Sequence, residues 1–313
     1  MTPATEGGVA VEYESFVRDS PPCVRQILAS RQLADGTAGG PPIAGKSSSM
    51  QPWYTRGLRR SRHGSPGTSP LRTDVTSQPG QAFDQVAATL EAHGPVVLPA
   101  LLLCDFGHLA REVERLEAAG AAALHLDVMD GRFVPQLTYG PIVVEAVRRA
   151  ARVPIEAHLM IEEPERSLAD YAKLGVDILT VHVEALAEPR AALRAISDLG
   201  PRAHVAISPG TPLERIEPCL DVCDGVLVMS VEPGYGGQRF DPVALEKLAT
   251  LADLRARRGG SFLIGVDGGI STDTVGPVAA AGAELIVAGS AVIRSRDYAG
   301  AIAELESLAR SAA

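Results

Sequence analysis

From Val96 onward, short apolar runs alternate with longer segments in which apolar residues recur every three or four positions. The runs VVLPALLL, AALHLDV, PIEAHLM, DILTVHV, AHVAI, GVLVMS, FLIGVD and ELIVAG have the length and branched-aliphatic content of strands buried on both faces. Between them, HLAREVERLEAAG, PIVVEAVRRAA, PERSLADYAKLG and DPVALEKLATLADLRARR carry the one-sided apolar stripe of surface helices. Several end in Gly, a common helix stop. Eight strands, each followed by a helix or helical turn, predict an α/β fold, a (β/α)8 TIM barrel over residues 94–313. A doubly wound open sheet is the alternative, but no G-x-G-x-x-G follows the first strand to support it.

Residues 1–93 show no such periodicity. GTAGGPPIAGKSSS and RHGSPGTSPLRTDVTSQPG are rich in Gly, Pro, Ser and Thr, a composition that buries too little apolar surface to offset chain ordering. A disordered N-terminal arm over 1–93 is predicted, with a short helix at 81–92 leading into the barrel, and Met50 is a candidate alternative start. The basic stretch Arg56–Arg62 reads as part of a solvated arm.

Charge divides at the same place. The arm holds 9 Lys and Arg against 8 Asp and Glu; the remainder holds 20 against 30. An acidic body excludes nucleic acid as a principal partner, so a phosphate ligand there must rely on local backbone donors. Aromatics make up only 4% of the chain, which leaves the core to Leu, Val, Ile and Ala. Cysteines 23, 104, 219 and 223 form no C-x-x-C pair and read as reduced thiols. No apolar run reaches the ~18 residues of a membrane span. A cytoplasmic protein, bound neither to membrane nor to nucleic acid, is expected, and a homo-oligomer is compatible with the sequence.

Active sites in such barrels lie at the C-terminal strand ends. The second strand carries His125 and Asp127 two residues apart, hence on one face, followed by Met129. The third carries His158 and Met160 in the same relation, and the seventh ends at Asp267. Two imidazoles and two carboxylates inside an aliphatic barrel are costly unless paired or bound to a cation. His125, Asp127, His158 and Asp267 therefore form a candidate divalent-metal set. Gly234, Tyr235, Gly236 and Gly237 in the loop after strand six, Gly268 and Gly269 after strand seven, and Gly289 and Ser290 after strand eight form a candidate phosphate cradle. Met129, Met160 and Met229 read equally as core packing or as an electronic influence beside the candidate ion, His182 reads as a packed or hydrogen-bonded histidine, and His93, His108 and His204 receive no role.

LHLDVMDGRFVP, EAHLMIEEPER, PGTPLERIEP, VLVMSVEPGYGGQRF, VDGGIS and VAGSAVI together resemble the ribulose-phosphate 3-epimerase family, in its order and across residues 96–300. The resemblance implies interconversion of D-ribulose 5-phosphate and D-xylulose 5-phosphate in the pentose phosphate pathway, by inversion at C3. It makes Asp127 and Asp267 the two acid/base groups on opposite faces of an enediolate. It implies one divalent ion, Zn²⁺, Mn²⁺ or Fe²⁺, on His125, Asp127, His158 and Asp267, with a ketose phosphate held by these groups and the glycine-rich loops. One departure stands out: Pro99-Ala100-Leu101-Leu102 has Ala100 where the family usually places a substrate-contacting serine.

Three rival readings follow. An epimerase of a related ketose phosphate, such as allulose 6-phosphate, needs the same chemistry. A decarboxylase or aldol-type synthase of the same barrel group tends to carry D-x-K-x-x-D, whereas this chain has Asp127-Val128-Met129-Asp130 and no lysine. A non-catalytic sugar-phosphate-binding barrel would be supported by loss of either aspartate, and both are present.

Overall fold

The computed structural model describes Val86, residues 88–90 and residues 92–313. Eight strands, β1 (Val96–Pro99), β2 (Leu124–Met129), β3 (Ile155–Met160), β4 (Ile178–His182), β5 (Arg202–Ile207), β6 (Gly225–Met229), β7 (Leu263–Asp267) and β8 (Leu285–Ala288), pair in parallel in the order β1-β8-β7-β6-β5-β4-β3-β2. A parallel bridge between Ala100 and His125 brings β1 against β2 and closes the barrel. The helices are α1 (Leu109–Ala118), α2 (Pro141–Ala150), α3 (Leu168–Lys173), α4 (Pro189–Leu199), α5 (Val243–Arg258), α6 (Val275–Ala280), α7 (Ser290–Ile293) and α8 (Tyr298–Ala312). The expected (β/α)8 barrel is therefore the observed fold.

Strand alternation sorts the core into two layers. Leu124, Leu126 and Val128 of β2, with Ile155, Ala157 and Leu159 of β3 and their equivalents, point outward into one cluster shared with the helices. A fully buried Leu, Ile or Val is worth about 1.5–3 kcal/mol, so this layer carries most of the fold. The alternate residues point inward, and there Val96 and Leu98 of β1, Leu227 of β6, and Leu285 and Val287 of β8 form a smaller cluster.

After β5 the chain makes two short 3-10 turns, Leu213–Arg215 and Glu217–Cys219, the expected helical turn and not a full helix. Pro209, Pro212 and Pro218 explain this, since each lacks an amide donor and restricts the residue before it. The run VVLPALLL stops being a strand at Pro99, and Leu101–Leu103 turn across the barrel mouth.

The arm expected over residues 1–93 lies mostly outside the described residues. Its described end packs on the barrel: Val86 is 1% exposed within the inner cluster, Leu90 packs beside it, and the Gly94 amide donates to the Leu90 carbonyl. Barrel packing thus begins before residue 94.

Candidate active site

Cross-strand register assembles the site. Asp127 of β2 sits opposite His158 of β3, and His125 sits opposite Glu156. Asp267 ends β7 opposite Met229 of β6. One donor atom from each of His125, Asp127, His158 and Asp267 falls within 4.8 Å of all the others. His125 Nε2 lies 3.4 Å from Asp127 Oδ1 and 3.7 Å from Asp267 Oδ2. His158 Nδ1 lies 3.8 Å from each of the same oxygens. Both imidazoles are fully buried, and neither of these ring nitrogens has a hydrogen-bond partner.

Two orphaned ring nitrogens facing two carboxylate oxygens at 3.4–3.8 Å fit a divalent cation. The opposite ring edges are held as metal-ligating histidines are usually held. His125 Nδ1 is 2.8 Å from Glu156 Oε2, so the ring donates its Nδ1 hydrogen to a carboxylate and, when neutral, keeps a lone pair on Nε2. Thr180 donates its hydroxyl to the other Glu156 oxygen. His158 Nε2 is 2.9 Å from His182 Nε2.

Without a cation the site retains protons. Burial opposes charge on His125, but Glu156 and then Asp127 outweigh it and hold its pKa well above the ordinary value. Burial drives Asp267 up to about 7; Asp127 and Glu156 add to this against the pull of His125. Burial, His182 and His125 all lower His158. Glu156 falls to about 2, because His125 overcomes the burial that would raise it.

Above these four side chains opens a cleft continuous with solvent. Asp127 and Asp267 reach its floor with Met129, Met160 and Met229, and Ala100 lines one wall. Every expected cradle residue lines it as well: Gly234, Tyr235, Gly236, Gly237, Gly268, Gly269, Gly289 and Ser290. His158, expected also to touch substrate, lies buried beneath this floor and is absent from the lining. Gln238 closes the loop after β6 by donating to the Glu232 and Tyr235 carbonyls at 2.6 and 2.9 Å. Ser230 ties the same strand end to β7, donating its amide to the Asp267 carbonyl at 2.8 Å. Gly269 has φ +57, and a Cβ there would collide with the Phe240 amide nitrogen; only glycine allows this approach.

Sequence reasoning passed over Glu156, although its spacing of two from His158 places it on the same face. His182 is hydrogen-bonded, as expected. Its partner Glu184 went unnoticed, with Nδ1 3.0 Å from Oε2. His204 Nδ1 comes within 3.9 Å of Glu156 Oε1. Asp130 holds loops, accepting amides from Arg132, Phe133 and Glu162.

A closed parallel barrel with a polar cluster at its C-terminal mouth and a glycine-lined cleft has the layout of a (β/α)8 enzyme. Residues 96–293 match the family model described as "Ribulose-phosphate 3 epimerase family", and the chain belongs to that family. It is 46% identical over 210 residues to a Synechocystis ribulose-phosphate 3-epimerase, covering 66% of this chain and 91% of that one. It is 44% identical to the Bacillus subtilis ribulose-phosphate 3-epimerase, covering 67% and 97%. A chloroplastic Arabidopsis ribulose-5-phosphate-3-epimerase is 43% identical, covering 70% and 78%. Among solved structures, 3-hexulose-6-phosphate synthase from Salmonella typhimurium aligns with a TM-score of 0.54 at 18% identity, covering 70% of this chain and 100% of that one. Likeness at that identity concerns the fold alone. The chain is an epimerase. No helix among the described residues is long and apolar enough to cross a membrane.

Proposed function

We propose that this enzyme interconverts D-ribulose 5-phosphate and D-xylulose 5-phosphate in the pentose phosphate pathway, with Asp127 and Asp267 transferring the C3 proton. The observation that carries this reading is the pair of carboxylates, from β2 and β7, meeting at one cleft floor over two orphaned imidazole nitrogens. The C3 hydrogen is acidic because it neighbours a ketone, and its removal gives a planar enediolate. Inversion requires removal on one face and return on the other, hence two groups. One aspartate accepts the proton as carboxylate while the other, protonated, delivers one to the opposite face.

His125, Asp127, His158 and Asp267 would hold one Zn²⁺, Mn²⁺ or Fe²⁺, which when bound supplies charge stabilisation to the enediolate oxygens. The backbone amides of the glycine-rich loops would receive the phosphate, in a chain whose net charge is −9. Residence in the cytoplasm belongs to the same proposal, whereas the Arabidopsis relative is by name chloroplastic.

Ala100 supports one second reading. A methyl group lines the cleft where the family usually has a hydroxyl, so a related ketose phosphate such as allulose 6-phosphate is the competing substrate. A coupled assay on both sugars, with metal-stripped and metal-restored enzyme, separates the two. Turnover of ribulose 5-phosphate that disappears on stripping and returns with the ion is the expected result. Metal binding without turnover of that sugar, alongside good turnover of allulose 6-phosphate, would overturn the assignment.

A further inference from the structure

We infer that His182 and Glu184 are positioning residues that lock His158 in the tautomer carrying its proton on Nε2, so that Nδ1 presents a lone pair to the ion. This rests on the ion site proposed above and extends it to residues that touch neither substrate nor metal.

The inference follows from donor and acceptor accounting. Glu184 Oε2 faces His182 Nδ1 at 3.0 Å, and a carboxylate only accepts, so Nδ1 of His182 carries the proton. A neutral His182 then has only a lone pair at Nε2. That atom is 2.9 Å from His158 Nε2, so His158 must donate there. The ring centroids are 5.0 Å apart and the planes lie 19° from parallel, an arrangement compatible with an N–H···N bond between the two Nε2 atoms. His158 is left with an unprotonated Nδ1, the atom that lacks any hydrogen-bond partner and lies 3.8 Å from both carboxylates.

Glu184 is itself anchored. Its Oε1 accepts the Ser208 amide at 2.8 Å. The loop that supplies this amide is clamped by Lys247 of α5, whose Nζ donates to the carbonyls of Ser208, Pro209 and Thr211 at 2.8, 2.8 and 2.6 Å. Phe133 packs on the His182 ring at 5.0 Å between centroids and limits its rotation. A continuous line of contacts thus runs from α5, through the loop after β5, to Glu184, His182 and His158. The alternative arrangement makes His182 an imidazolium that donates to His158, which places the His158 proton on Nδ1, aimed at the carboxylates and in the way of a cation.

Nitrogen-15 NMR of the full-length Zn²⁺-loaded wild type, with labelled histidine, reads the tautomer directly. The expected spectrum has a His158 proton on Nε2 and a metal-shifted Nδ1. Zn²⁺ affinity by chelator competition supplies the second arm. His182→Leu removes the acceptor and should bind Zn²⁺ about 10–100-fold more weakly, whereas His182→Gln, which can still accept, should stay close to wild type. Supplying saturating Zn²⁺ should restore most turnover to His182→Leu, since a positioning residue acts through the ion. Equal losses in the Leu and Gln variants would overturn the inference alone; Zn²⁺-loaded wild type with its His158 proton on Nδ1 would overturn both the inference and the role of His158 in the ion site. A wild type that takes up no Zn²⁺, Mn²⁺ or Fe²⁺ would overturn the ion site and this inference together.

Discussion

The two halves of the barrel interior solve the same packing problem with opposite chemistry. Inward positions of β1, β6 and β8 are filled by Val96, Leu98, Leu227, Leu285 and Val287. Inward positions from β2 to β5 carry His125, Glu156, His158, Thr180, His182 and His204, all buried. The first half is stable by desolvation alone. The second would be heavily penalised unless each polar group met another. It is arranged so that Thr180 and His125 meet on Glu156, and His158 meets His182. The nitrogens left over on His125 and His158 point to one place, where Asp267 arrives from the other side of the mouth. Stability and chemistry are therefore assigned to different sides of one barrel, and substitutions should separate them.

The largest effect is expected at the two aspartates. Asp127→Asn and Asp267→Asn should each lower kcat of the metal-loaded enzyme by at least about 10²–10⁴. Near-native turnover in either variant would remove that residue from proton transfer.

A paired experiment then tests the division itself. Leu98→Ala, in the apolar half, should lower stability by about 2–5 kcal/mol in denaturant melts while leaving metal affinity unchanged. Glu156→Gln, in the polar half, keeps shape but replaces the carboxylate that accepts the hydrogen bond from His125 Nδ1. It should weaken metal binding about 10–100-fold. If the two variants changed stability and affinity in the same ratio, the halves would not be separate in function.

The lower end of the apolar half gives a smaller test. Val86 is buried against it, so a chain starting at residue 94 should lose about 1.5–3 kcal/mol relative to one starting at residue 80, with kcat/KM kept. We expect the chain from residue 80 to match full length, as the composition of the preceding arm implies. Equal stability of the two shortened chains would show that Val86 contributes nothing.

The smallest effect is expected at Ala100, on the cleft wall. Ala100→Ser adds at most one hydrogen bond to substrate, net about 0.5–1.5 kcal/mol, and should change kcat/KM on ribulose 5-phosphate by no more than about tenfold. A larger gain would mean that Ala100 sets specificity.

Much of this was legible in the chain. Every strand lies within or across a run of apolar residues, because parallel barrel strands are buried on both faces and read as continuous hydrophobic segments. His125 and Asp127 declared their common face by a spacing of two. The same rule reaches Glu156 from His158, yet nothing in the sequence said which residue Glu156 would meet. Its partners lie on neighbouring strands, and register across strands is set by loop geometry and packing. His204 shows this most clearly. It is opposite Thr180 on one side and Gly225 on the other, where a Cβ would lie 2.6 Å from its ring. The sequence states that there is a glycine at 225; only the fold shows that the imidazole needs it.

The central claim is that two carboxyl groups act on opposite faces of one intermediate. It is tested most directly by running the metal-loaded enzyme on ribulose 5-phosphate in D₂O and examining C3 of the first xylulose 5-phosphate formed. The account predicts one solvent deuterium at C3 in the product, delivered by the aspartate that did not remove the original hydrogen. Product that keeps the substrate hydrogen, carried across from one face to the other, would contradict it.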